Sequence, residues 1–248
     1  MFFGRRSAQA EYFDLPGRPA DDTIAEFRDL DKLNRAFVFE RPFEDTLPKW
    51  LGEERCANLE ILDLGAGTGF LGETLSRWAA ERGWRWHFTN LDSNPLAQTA
   101  GNGRNTVIGS ALELPFDDNS FDLVVASQMT HHLRDEDIEQ HFREAWRVTR
   151  DAVFICDLHR NAALYAMLWL STLLLPVGPS VRSDALVSVK RGFRLGEWRG
   201  VARNAGLPDA RVWVYYGTRI VLQARKGLAA GAGCASHQRS QRQVSMSG

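Results

Sequence analysis

The sequence has little cysteine: three residues in 248, Cys56, Cys156 and Cys234, odd in number and far apart. They imply neither a disulfide framework nor a metal-binding cysteine pair, and the expected setting is a reducing compartment. Neither charge is in surplus, with 30 Lys and Arg against 31 Asp and Glu. That argues against a nucleic-acid partner, which ordinarily leaves a basic excess or stripe. The longest apolar stretch, Ala162 to Val177, falls short of the ~20 residues a bilayer-spanning helix needs. Met1 to Arg6 lacks the apolar region of a secretory signal, so the expected location is cytoplasmic. No internal repeat is visible. No run of His, Cys, Asp and Glu has metal-ligand spacing, so no metal is expected. What remains is ordinary globular composition, 44% hydrophobic and 25% charged. The length suits one large α/β domain or two small ones.

The most informative stretch is Ile61-Leu62-Asp63-Leu64-Gly65-Ala66-Gly67-Thr68-Gly69. It reads as a strand, a tight turn and the start of a helix. Glycine frees the backbone for positive φ and lets a ligand approach closely. The helix N-terminus behind the turn offers unpaired N–H groups to an anionic or zwitterionic ligand. The dinucleotide fingerprint requires a third glycine or alanine where this chain has Phe70. An extra glycine stands one residue early, at Gly69. Asp63, two residues before the first glycine, is not part of the dinucleotide pattern.

Asp-x-Gly-x-Gly-x-Gly resembles motif I of the class I S-adenosyl-L-methionine (SAM) methyltransferases. The resemblance implies that Asp63, Gly65, Ala66, Gly67, Thr68 and Gly69 surround the methionine and ribose parts of SAM. The rest of the chain follows in the family's order. Trp86 to Leu91 is a second apolar run, and Asp92 closes it about 25 residues after the turn, near the ~20 expected of a βαβ unit. An acid there can accept both ribose hydroxyls, with Ser93 beside it. Thr106 to Ile108 is a short third strand. Gly109 to Phe116 resembles the family's Gly-Asp-Ala-x-x-Leu-Pro-Phe segment, with Ser110 in place of the adenine-binding acid. Ala111 and Leu112 remain to contact adenine, and serine offers a weaker, uncharged hydrogen bond.

Phe121 to Ala126 reads as a central strand buried on both faces. Ser127, Gln128, Met129, Thr130, His131, His132 and Leu133 follow at its C-terminal end, where open α/β sheets bind ligands. Enzymes of the family that methylate exocyclic amines carry an Asn/Asp-Pro-Pro-aromatic segment here. This segment instead resembles those acting on oxygen or carbon of small molecules. Asp135 to Val148 reads as a helix and Asp151 to Cys156 as a fifth strand, leading to His159 and Arg160. Arg194 to Ala205 reads as a helix stopped at Gly206. Val212 to Tyr216 and Arg219 to Ala224 read as a sixth and an antiparallel seventh strand.

The expected fold is a Rossmann-like, doubly wound, seven-stranded and mostly parallel sheet. Residues 1–57 would form an N-terminal helical lid, 58–226 the SAM domain and 227–248 a disordered tail. In the lid, Asp22 to Phe37 has helical spacing at Ile24, Phe27, Leu30, Leu33 and Phe37, with Thr23 and Glu26 as a capping box. Tyr12, Phe13, Asn34 and Arg35 are candidate acceptor contacts. An insert at about 160–193 is expected to build the acceptor pocket. Its apolar part, Ala162 to Val177, calls for burial over the acceptor, for contact with a membrane or lipid-like substrate, or for a subunit interface. Tyr165, Met167 and Trp169 would line the pocket, and Val187 to Phe193 reads as a loop or short strand.

The expected reaction is in-line SN2 transfer of methyl from SAM to oxygen, or less readily carbon, of an apolar, phenolic or quinone-like small molecule. The product from the cofactor is S-adenosyl-L-homocysteine (SAH). The finer resemblance is to tailoring enzymes of polyketide and quinone pathways, a natural-product setting. A phenol with pKa near ~10 is protonated at neutral pH, so a base accelerates transfer. His131, His132 and His159 are the candidates, and Arg160 would neutralise an acidic acceptor. The alternatives are orientation alone, a protein or RNA acceptor, an NAD(P)-dependent oxidoreductase, and a non-catalytic SAM-binding protein.

Overall fold

The computed structural model describes residues 3–101, 106–207 and 209–227. The tail expected over 227–248 lies, beyond its first residue, outside the described residues. Seven strands form one sheet: β1 Asn58–Leu64, β2 Arg85–Asp92, β3 Thr106–Ile108, β4 Phe121–Ser127, β5 Thr149–Leu158, β6 Arg211–Tyr215 and β7 Arg219–Arg225. Their order is β3-β2-β1-β4-β5-β7-β6. Strands β1 to β5 run parallel, and β7 is antiparallel to both β5 and β6. This is the Rossmann-like, doubly wound sheet the sequence implies. The chain reverses its winding between β1 and β4, so a crevice opens at their C-terminal ends.

Side chains alternate across the sheet. Leu62 and Leu64 of β1, with Val124 and Ala126 of β4, face one layer. That layer is covered by α6 (Ile138–Val148) and α9 (Leu195–Asn204), through Phe142, Trp198 and Ala202. Leu59, Ile61, Leu123 and Val125 face the other layer. It is covered by α2 (Arg41–Leu51), α3 (Glu53–Cys56) and α4 (Phe70–Ala80). The remaining helices are α1 (Ala20–Ala36), α5 (Pro95–Ala100), α7 (Ala162–Leu174) and α8 (Pro179–Arg191).

Helix α2 was not anticipated, because Pro42 and Pro48 discourage a helical reading. Pro42 sits in the first turn, where a missing N–H costs nothing. Phe43, Leu47 and Leu51 fall one turn apart and are buried, and Phe43 meets Phe154 at 4.9 Å between ring centroids. Burial of that stripe overrides Pro48. The expected capping box of α1 is also corrected. The helix starts at Ala20 behind Pro19, the Thr23 hydroxyl donates to the Pro19 carbonyl at 3.2 Å, and Glu26 pairs with Arg18.

Residues 187–191 are helical, not loop or strand; they form the last turns of α8. Val187 and Val189 read as strand by composition, but both are buried within the helix. Helix α7 is buried on one stripe only, at Leu164, Leu168 and Thr172. Met167, Trp169, Leu170, Leu173 and Leu174 are exposed. No described helix is long and apolar enough to cross a membrane.

Candidate active site

The glycine turn is shaped by its hydrogen bonds and by what crowds it. The Gly65 and Ala66 amides both donate to the Leu91 carbonyl, at 2.8 and 3.1 Å. Gly65, Gly67 and Gly69 all have positive φ. A Cβ on Gly65 would stand 2.1 Å from the Met129 side chain. A Cβ on Gly69 would stand 2.7 Å from the Asn90 amide nitrogen. The turn therefore admits glycine at these points and little else.

Two carboxylates flank it. Asp92 accepts from the Gly67 amide at 2.8 Å and the Asn94 amide at 2.9 Å, one on each oxygen. Each oxygen keeps a further lone pair for a ligand hydroxyl. Burial raises the Asp92 pKa despite these bonds. Asp63 is fully enclosed, and burial, with Asp92 close by, pushes its carboxyl up to about 8. One Asp63 oxygen and the amide nitrogen of Gln128 are buried without a partner. Orphaned polar atoms of this kind, one an acid beside a second acid, fit a cationic ligand that brings charge and donors with it.

Thr68, the middle of the turn, reaches α1. Its hydroxyl donates to Asp31 of α1 at 2.8 Å. Burial raises the Asp31 pKa, opposed by that bond. Asp31 was not anticipated; a lone acid on an amphipathic helix gives no sequence signal.

A second cluster sits across the cavity. Asp157, at the end of β5, holds His131 twice: it accepts from the ring Nδ1 at 2.7 Å and from the backbone N–H at 3.0 Å. A carboxylate only accepts, so Nδ1 of His131 carries a proton. Its Nε2 lies 3.4 Å from Glu11. Burial alone would lower the His131 pKa, but Asp157 and Glu11 carry it up to about 10. Glu11 is in turn held down to about 2, against its burial, by His132 and His131. His132 donates from Nδ1 to Asp14 at 2.9 Å and turns Nε2 toward Glu11 at 3.8 Å. Arg191 of α8 ties the cluster together by donating to the carbonyls of His131 and His132 at 2.8 and 2.6 Å. The sequence named no ligand cluster, yet the fold brings Glu11 from the N-terminal segment to two histidines some 120 residues away.

One cavity of about 910 Å³ joins the two clusters. Of the expected cofactor residues, Asp63, Gly65, Ala66, Gly67, Thr68, Asp92, Ser93, Ser110, Ala111, Leu112, Ser127 and Gln128 line it. Gly69 does not; it shapes the turn from outside as the left-handed residue before α4. The opposite wall is apolar and comes from the N-terminal segment, from α1 and its end, and from α7 and α8: Phe13, Phe27, Leu30, Leu33, Phe37, Leu168 and Val181. Asn34 also lines it. His131 and His132 reach the cavity, whereas two other expected groups do not. His159 bonds the Gly217 carbonyl at 3.1 Å at the far side of the β5 end. Arg160 is buried, pairs with Glu197 at 2.6 Å and donates to Gly192. Its guanidinium is therefore occupied by the core, which corrects its expected place beside the acceptor.

Most expected acceptor residues also stand elsewhere. The Tyr12 ring stacks under Arg18, Arg35 lies over Phe70, and Tyr165 packs on Phe3. Met167 and Trp169 face outward. The insert contributes through α8 and Leu168 instead, because the stripe of α7 that turns inward is the one carrying Leu164 and Leu168.

Residues 62–156 match the model of a methyltransferase domain family. That span runs from within β1 into β5 and takes in Asp63, the glycine turn, Asp92, His131 and His132, but not Glu11, Asp14, Asp157 or Arg191. The chain carries a methyltransferase domain over these residues. The orphaned polar atoms of Asp63 and Gln128 lie in the half of the cavity bordered by the glycine turn. A demethylmenaquinone methyltransferase from Roseiflexus castenholzii is 36% identical over 92 residues, which is 36% of this chain and 37% of that one. The match thus spans little more than a third of that relative. The domain's fold is shared with a SAM-dependent methyltransferase from Aquifex aeolicus, at TM-score 0.56 and 17% identity over 82% of this chain and 97% of that one. It is shared too with magnesium protoporphyrin IX methyltransferase from Synechocystis, solved with SAH bound, at TM-score 0.51 and 10% identity over 75% and 83% of the two chains.

Proposed function

We propose that this protein transfers the SAM methyl group to an oxygen, with carbon the lesser alternative, of an apolar phenolic or quinone-like small molecule. The observation that carries this is the two-sided cavity: an acid-flanked glycine turn on one wall, and a wall of phenylalanine, leucine and valine on the other. Its volume lies within the range of small-ligand pockets. The neutral overall charge and enclosed apolar wall speak against a protein or RNA acceptor. The partial relative, named for demethylmenaquinone, is in keeping with a quinone-like acceptor.

Residues 1–57 act as the lid, 58–226 as the catalytic domain, and the insert at about 160–193 as the far wall. Asp63, the turn and Asp92 hold the methionine and ribose parts of SAM; Ser110, Ala111 and Leu112 border adenine. The chain's own work is to align acceptor and methyl and to exclude water. His132 is the proposed base. It lines the cavity, and Asp14 fixes its Nδ1 proton so that Nε2 is the basic nitrogen. His131 carries its proton at neutral pH and serves to position Glu11 and the loop.

Incubation with methyl-tritiated SAM and a panel of apolar phenols and quinols should transfer label to an extractable product. Transfer to no member of the panel, with SAM bound, would overturn the catalytic reading. His132→Ala should lower kcat by about 10²–10⁴-fold, the usual worth of a positioned base; His159→Ala should leave it unchanged. The exposed face of α7, Trp169 and Leu170 with Leu173 and Leu174, supports contact with a membrane or lipid-like substrate. Flotation with anionic vesicles should carry the protein upward and fail for Trp169→Ser/Leu173→Ser.

A further inference from the structure

We propose that Glu11, His131 and His132 form a binding site for a divalent first-row transition cation at the acceptor end of the cavity. One ligand atom from each lies within 4.8 Å of the others. Both imidazoles are set for coordination. Each gives its Nδ1 proton to a carboxylate, His131 to Asp157 and His132 to Asp14. Each turns Nε2 toward the same third carboxylate, Glu11, at 3.4 and 3.8 Å. A carboxylate behind each ligating histidine is the arrangement that fixes tautomer and ring direction in metal centres. Two nitrogens and one oxygen, with space on the cavity side, suit an ion such as Zn²⁺ that binds three protein ligands at about 2.0–2.2 Å and keeps one position open.

The separations agree with this. Two ligands about 2.1 Å from one ion at a tetrahedral angle lie about 3.4 Å apart, which is the His131–Glu11 distance. His132, whose side chain is 27% exposed, has room to close the longer gap.

Charge points the same way. With both imidazoles neutral, Glu11, Asp14 and Asp157 face one guanidinium, Arg191, which lies 4.0 Å from Glu11 and 3.5 Å from Asp14. Asp92 lies near His132 and Asp184 near Glu11 as well, so acids outnumber bases around the cluster, as a cation site requires. Arg6, also close by, is neutralised by Asp135. One oxygen of Glu11, itself 4% exposed, has no hydrogen-bond partner.

The inference rests on the acceptor end being where the acceptor oxygen enters, as proposed above. Loaded, the cation would take that oxygen in its open position and lower its pKa, a Lewis-acid role in place of His132 acting as base. Cation binding is measured without any acceptor, so it stands or falls separately from methyl transfer.

The test is calorimetric titration of chelator-treated protein with Zn²⁺, and visible absorption on adding Co²⁺. One equivalent should bind, with tetrahedral Co²⁺ bands. Glu11→Gln and His132→Ala should each weaken binding by more than about 100-fold, and Asp157→Asn by about 10–100-fold as an outer-shell change. His159→Ala, remote from the cluster, should bind as the unaltered protein does. His132→Ala removes a partly exposed ring, so its melting temperature without metal checks that it folds. Absence of stoichiometric binding, or binding that folded His132→Ala and Glu11→Gln retain, would overturn the proposal.

Discussion

The two walls of the cavity are built in different ways. The cofactor wall is made of strand tips and one turn, in which the Leu91 carbonyl accepts from the Gly65 and Ala66 amides and Asp92 accepts from those of Gly67 and Asn94. The acceptor wall is assembled from Glu11 and Phe13, from α1, from the loop after β4, from Leu168 of α7 and from α8. A wall of backbone turns tolerates change only where a side chain does not intrude. A wall of side chains from five segments can be refitted residue by residue.

The largest expected effect tests the cofactor wall. Asp92→Ala removes the acceptor for two backbone amides, Gly67 and Asn94, as well as the proposed ribose contact. SAH affinity by calorimetry should fall by at least about 100-fold, the worth of two bonds to a charged group. Unchanged affinity would mean that Asp92 only braces the turn.

Asp63 sharpens the comparison through pH. Its carboxyl is protonated in the free protein below about 8, and its ionised form is the one that favours a cationic ligand. Binding below that pH must release a proton, so SAM affinity should rise with pH, by up to about tenfold per unit, and level off above about 8. Titrations between pH 6 and 9 read the slope directly; Asp63→Asn should flatten it. A flat profile in the unaltered protein would remove Asp63 from the cofactor's charged end.

The link between the walls comes next. Asp31→Ala deletes the bond that fastens α1 to Thr68. A hydrogen bond to a charged group is worth about 1.5 kcal/mol at the low end. SAH should therefore bind about tenfold more weakly. An equal loss in Thr68→Val, with no further loss in the double variant, would assign the effect to that bond.

The smallest effect is a gain. Ser110→Asp restores a charged acceptor at the adenine edge and should tighten SAM binding by a few-fold. No gain would place the adenine edge away from Ser110.

These differences also explain what could be read in advance. Asp63, the glycines and Asp92 were legible because local backbone geometry dictates them: a turn with φ of +67° at Gly65 and +80° at Gly69 admits few residues. The sheet followed from its runs of apolar residues and their order. Glu11, Asp31 and Asp157 were not legible. A single acid in an extended segment, on an amphipathic helix or at a strand end looks the same whether it faces solvent or a histidine. Only tertiary packing tells them apart. Arg160 and His159 misled for the converse reason. They occupy a strand end that usually faces ligand, but Glu197 and Gly217 turn them aside.

The Asp31–Thr68 bond has a kinetic consequence. The bond ties α1 to the glycine turn, so the two elements separate only when the Thr68 hydroxyl lets go of Asp31.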